Sequence, residues 1–111
     1  MKRLIATIAG TLLCTGIWAA EEQPAQTPPL EETVKQCAAC HGEDGNKPVT
    51  PDTPKLGGQH ADYLAKALRD YKSGARKNPI MGAMAAALTE RQMKELAGYF
   101  ARQKSELHVK Y

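Results

Sequence analysis

The run CAACHGEDGN, Cys37 to Asn46, constrains this chain more than any other feature. Two thiols stand three positions apart, close enough to share one helical face, and the imidazole of His41 follows the second at once. The trio sits in a chain short of ordinary core material, with one Phe, four Tyr and one Trp in 111 residues. So small a chain often needs a staple or a bound group. Whatever engages Cys37, Cys40 and His41 is therefore expected to fill the middle of the molecule.

The N-terminus is expected to be an export signal. "MKR" provides a positive start, "LIATIAGTLLCTGIW" is uncharged and mostly apolar, and "AA" precedes an abrupt polar switch at "EEQPAQTPP". The apolar run is shorter than the about 20 residues a spanning helix needs, so cleavage after Ala19 or Ala20 is expected, leaving no stable membrane insertion. Cleavage would discard Cys14 and Trp18, so Cys37 and Cys40 become the whole cysteine supply. Removing Lys2 and Arg3 from 15 basic residues leaves 13 against 12 acidic ones, a net charge of +1. No single basic face of the kind that binds nucleic acid is visible in the pattern. The organisation read from this is a signal over 1–20, a disordered proline-rich leader over 21–30, one domain over 31–104 and a tail over 105–111.

Within that domain the pattern is helical. Val34, Cys37 and Ala38 recur at helical spacing over 31–41. Residues 42–58 are too dense in glycine and proline for regular structure. "QHADYLAKALRDYKSG" places Leu64, Leu68 and Tyr71 on one face, offers an Asp62–Lys66 pair and stops at Gly74. "ARKNPIMGAMAAA" reads as a loop turning into a weakly helical stretch. The last helix opens with Thr89 and Gln92 at capping-box spacing and buries Met93, Leu96, Ala97 and Phe100. With no strand pattern and no internal repeat, the fold class is all-α, short helices and loops around one centre.

Three chemistries use a cysteine pair. A redox dithiol usually opens a helix of a strand-bearing α/β fold, and this chain has no strands to build one. Zinc needs four ligands, and beyond Cys37, Cys40 and His41 only His60 and His108 remain, neither at ligand spacing from a partner. Covalent haem attachment uses the whole motif: each thiol adds to a haem vinyl group, and the next histidine becomes an iron ligand. One haem c per chain is the expected cofactor, attached after export.

Three blocks, "CAACHGEDGN", "PKLGGQHADYLAKALRDYKSGARKNPIM" and "LTERQMKELAGYFARQ", occur in an order that resembles the class I c-type cytochromes. The similarity is to the small monohaem cytochrome c-553 type and to single lobes of its dihaem relatives, from about Glu31 to Gln103. The resemblance implies the class I cytochrome c fold, with crossing terminal helices, and an electron-transfer role. One departure is visible: where the family places a glycine about a turn and a half before the first haem cysteine, this chain has Leu30 and Glu31. Gly98 on the other helix is a candidate to restore a close approach.

A second axial ligand would suit the iron to electron transfer, and a thioether there raises the reduction potential. Met93 belongs to the apolar stripe of the last helix, where methionine commonly fills the core. His60 opens the middle helix and His108 lies in a polar tail. Met81 and Met84 both follow the "RKNP" loop, and spacing alone leaves both open. The resemblance implies Met81, because the family's ligand precedes the leucine of the last helix cap by seven residues, here Leu88. It places Met84 beside the haem as an apolar wall. It also implies that the Pro54 carbonyl orients His41. Arg76 and Gln59 are candidates to hydrogen-bond haem propionates, since a guanidinium suits a carboxylate, with ordinary surface roles as the alternative. The cations Lys66, Arg69, Lys72, Arg76 and Lys77 read as a solvated face, partly offset by Asp62 and Asp70. The function expected is a monomeric periplasmic electron carrier between redox-partner proteins, without enzyme chemistry of its own. Alternatives are a haem subunit of a larger redox complex, or an open-site haem peroxidase.

Overall fold

The computed structural model describes residues 27–107, which leaves the expected signal peptide, most of the leader and His108 outside the described residues. Four helices follow one another: α1 (Leu30–His41), α2 (Ala61–Ser73), α3 (Pro79–Ala86) and α4 (Glu90–Ala101). Among the described residues there is no strand.

α1 begins earlier than expected. The Pro29 carbonyl accepts from the Glu32 and Thr33 N–H groups at 3.1 and 3.2 Å, and Leu30 is already helical. Leu30 therefore does not belong to a disordered leader; its side chain packs against the core cluster, and that burial draws the first turn in. Glu31 and Glu32 place negative charge at the positive end of the helix dipole.

α2 has the expected bounds, and Gly74 caps it in the left-handed region. The expected Asp62–Lys66 pair does not form. The Asp62 carboxylate takes the Tyr63 N–H at 2.8 Å, one of the unsatisfied donors of a helix N-terminus, and Lys66 pairs instead with Asp70. In α4 the capping box is complete: Thr89 Oγ1 accepts from the Gln92 N–H at 3.2 Å, and Gln92 Oε1 accepts from the Thr89 N–H at 2.9 Å.

α4 is the central element. It packs against α2 and α1, whereas α3 rests on α2 alone among the helices. The core is Val34 from α1, Leu64 and Ala65 from α2, Leu88, and Met93, Leu96, Ala97 and Phe100 from α4. Gly98 does not provide the close approach: a Cβ there would meet only the Arg102 Nη1 at 3.1 Å, with nothing of α1 within reach. The crossing is filled by side chains, Leu30 and Val34 against the α4 stripe.

The segment between α1 and α2 is irregular but tied at many points. Leu56 N–H donates to the Gly45 carbonyl at 2.7 Å and Gly58 N–H to the Phe100 carbonyl at 2.9 Å. Asn46 Nδ2 donates to the Lys104 carbonyl at 2.8 Å, and Lys55 pairs with Glu106 at 2.9 Å. Packing thus continues past residue 104, because Ser105 and Glu106 lie over this loop. Gly58 makes the closeness visible, since a Cβ there would fall 2.3 Å from the Ser105 Cβ.

Gly58 and Gly74 both have positive φ, 72° and 81°, but Gly74 has no atom within 4 Å of a built Cβ. Gly74→Ala is expected to cost about 1 kcal/mol from backbone strain alone. Gly58→Ala should cost about 1–3 kcal/mol more, through overpacking against Ser105. Urea unfolding of the two variants checks the difference.

Candidate functional site

Cys37 and Cys40 lie in the last turns of α1, and His41 is its final residue. Cys37 is half-buried against the core, Cys40 is exposed and His41 is 6% exposed. This is the C-terminal end of a helix, whose dipole disfavours a thiolate. Burial, reinforced by the neighbouring Cys40, pushes the Cys37 thiol up to about 11. A reactive dithiol requires the opposite, a helix N-terminus and a lowered pKa. Nor do three His, Cys, Asp or Glu side chains converge into a metal cage among the described residues.

The imidazole of His41 is oriented by the loop. Its Nδ1 lies 2.7 Å from the Pro54 carbonyl oxygen, which can only accept, so Nδ1 carries the proton. In the neutral ring Nε2 then keeps its lone pair, the form that ligates a metal. Two thiols about one turn apart and a histidine with its Nε2 lone pair available fit the attachment chemistry of haem c.

α3 sorts its two methionines by helical phase. Met81, half-buried, shares its stripe with Ala85, which is 0% exposed, and with Leu88, which is buried. Met84 falls on the other stripe with Ile80 and Ala87, where Ile80 is 70% and Met84 37% exposed. Ile80 and Met84 thus lie on the face of α3 turned away from Ala85 and Leu88. Pro79 sits in the first turn, and Asn78 caps the helix by accepting from the Ile80 and Met81 N–H groups, both at 3.0 Å. Sequence reasoning read "RKNP" as a loop and missed the cap that Asn78 provides. An Asn directly before a helix-opening proline was the available signal.

The remaining candidates are dispersed. Met93 is buried in the core and His60 is an exposed residue before α2. Gln59 is half-buried, and its Oε1 accepts from the His60 N–H at 2.9 Å. Arg76 is exposed, donates to the Tyr63 hydroxyl at 3.4 Å and stands 4.9 Å over the Tyr71 ring. The contact with Tyr63, helped by Tyr71, raises its pKa above the ordinary guanidinium value. Of the other cations in the basic run, Lys66 and Arg69 are paired with Asp70 and Glu90, and Lys72 donates to the Leu88 carbonyl. Those three make local contacts with their neighbours while Lys66 and Arg69 stay exposed.

A small all-helical fold with a thiol pair and an oriented histidine at one helix end defines a protein built around covalently attached haem. Residues 31–104 match the family model for cytochrome c, and the chain belongs to that family, as a class I c-type cytochrome. It is 36% identical to cytochrome c4 of Pseudomonas aeruginosa, over 94% of this chain and 50% of that protein. It is 38% identical to the thiosulfate dehydrogenase electron acceptor of Stutzerimonas stutzeri, over 84% of this chain and 44% of that one. It is 31% identical to the cytochrome subunit of sulfide dehydrogenase of Chlorobaculum tepidum, over 90% of this chain and 96% of that subunit. The chain thus spans about half the length of the first two relatives and nearly all of the third. Haem c, covalently attached, is the cofactor of this domain.

The phase of α3 has a measurable consequence. Ala85→Leu should destabilise by about 1–3 kcal/mol through overpacking of the inner stripe. Met84→Ala on the outer stripe should change stability by no more than about 0.5 kcal/mol. Denaturant unfolding of both variants checks the assignment of faces.

Proposed function

We propose that this chain is a periplasmic one-electron carrier, with its signal peptide cleaved near residue 20 and its haem domain spanning 31–104. Cys37 and Cys40 would form the thioethers, His41 would ligate the iron through Nε2, and Met81 would supply a second ligand. The observation that carries the reading is the His41 imidazole at the end of α1, held through Nδ1 by the Pro54 carbonyl; the half-buried Met81 on α3 supports the second ligand. When bound, haem supplies a one-electron couple, and a thioether ligand favours its reduced form.

The protein's part is to hold the ligands and keep other chemistry out. Pro54 fixes the His41 ring, and the ties from Asn46 to Lys104 and from Lys55 to Glu106 keep that loop in place. With His41 and Met81 both holding the iron, the site would leave no ready position for peroxide. The apolar and small residues of α3 offer no acid–base group to assist it. Gln59 Nε2 and the remaining guanidinium N–H donors of Arg76 are proposed to reach the propionates. Among the described residues no helix is long and apolar enough to cross a membrane, which is compatible with a carrier released by cleavage. Redox-partner proteins dock briefly, since weak redox encounters use interfaces below about 1,200 Å² in total.

A second reading is supported by the Chlorobaculum tepidum relative, a cytochrome subunit of sulfide dehydrogenase that matches along nearly its whole length. Under it, the same haem domain passes electrons from a catalytic partner to which it stays bound.

Met81→Ala is expected to abolish the sulfur-to-iron charge-transfer band of the ferric protein, lower the reduction potential and admit carbon monoxide. Met84→Ala should retain the band. The reverse pattern would reassign the ligand.

Carrier function is tested by mixing the reduced protein in stopped flow with a periplasmic oxidase, beside a peroxidase assay of the protein alone. Rapid oxidation by the partner with negligible peroxide turnover is the expected result. Substantial turnover by the intact protein would contradict the proposal.

A further inference from the structure

We infer that Asn78 is a positioning residue for the Met81 ligand, acting through the backbone of α3. The inference rests on the proposed ligation by Met81 and goes beyond it to what holds that side chain in place.

α3 has unusually little support. It is eight residues long, carries no charge, and packs on α2 alone among the helices. An isolated helix of that length is not stable in water, so its first turn depends on how its unsatisfied N–H groups are met. Asn78 meets those of Ile80 and Met81. Pro79 has no N–H to satisfy. Asn78 Oδ1 accepts from Ile80 N–H and Met81 N–H, both at 3.0 Å, and the Asn78 carbonyl accepts from Gly82 N–H at 2.7 Å. The far end is held separately, by Lys72 donating to the Leu88 carbonyl.

One amide oxygen therefore holds the backbone of Met81 itself. It also sets the phase that turns Met81 to the stripe of Ala85 and Leu88 and leaves Ile80 and Met84 outside. If the cap is lost, the first turn frays, and the residue most directly released is Met81. A weakened iron–sulfur contact is then expected even though Asn78 is exposed and is not itself proposed as a ligand.

The test compares Asn78→Ala with Asn78→Asp, which keeps the acceptor, and with Thr89→Ala, which removes the cap of α4 without touching α3. Two readouts are taken on the haem-loaded proteins: the intensity of the ferric charge-transfer band, and the rate at which carbon monoxide binds the ferrous form. Asn78→Ala should weaken the band and raise the carbon monoxide rate about fivefold, the population shift that loss of an ordinary N-cap produces. Asn78→Asp should restore both, and Thr89→Ala should leave both at the wild-type value while lowering stability. If Asn78→Ala does not yield folded protein, Asn78→Ser and Asn78→Gly, both tolerated at an N-cap, take its place, and the same ordering is expected in milder form. A normal response to Met81→Ala with Asn78→Ala indistinguishable from Thr89→Ala would overturn this inference alone. Retention of the band in Met81→Ala would overturn it together with the ligand assignment.

Discussion

The hydrogen bond between His41 Nδ1 and the Pro54 carbonyl is the contact on which the rest of the arrangement depends. It joins the end of α1 to an irregular loop and, by placing the proton on Nδ1, leaves the Nε2 lone pair of the neutral ring available to a metal. A proline carbonyl is well suited to this: proline restricts its own backbone and offers an acceptor with no donor to compete. The loop has no regular ladder to support it. Its fixity comes from discrete ties to Gly45, Phe100, Lys104 and Glu106, so the C-terminal residues take part in orienting an imidazole on α1.

The two sides of the site are held by different means. The histidine side is anchored by side chains in the core, by the loop hydrogen bonds and, with haem attached, by two thioethers. The methionine side hangs from one short helix, supported by α2, a proline, an asparagine cap and a lysine at the far end. Local stability follows such differences in contact and hydrogen bonding. Under the proposed ligation by Met81, ligand exchange at the iron would begin on this less supported side.

Much of this was legible in the sequence because the relevant signals are local. The thiol pair with its histidine, the Thr89–Gln92 capping box and the Gly74 stop each lie within a few residues, and α1, α2 and α4 follow the periodicity closely. The errors arose where a longer-range contact decided the outcome. Leu30 joined α1 because it packs against the core cluster, and Asp62 turned to a helix N–H instead of Lys66. Gly98 proved irrelevant to the crossing because side chains, not backbone, fill it. Met81 and Met84 were inseparable by spacing, since both follow the same loop. The resemblance favours Met81, and the phase of α3 adds that Met81 shares a face with the buried Ala85 while Met84 lies on another.

The central claim is that Cys37, Cys40 and His41 together hold haem by covalent attachment. It is tested most directly by acid–acetone extraction of the mature protein, followed by proteolysis and mass measurement of the coloured peptide. The account requires the colour to stay with the polypeptide, the haem mass to fall on the peptide containing Cys37–His41, and both to vanish when the two cysteines are replaced by alanine. Haem that extracts freely from the unmodified protein, or a haem mass on any other peptide, would contradict it.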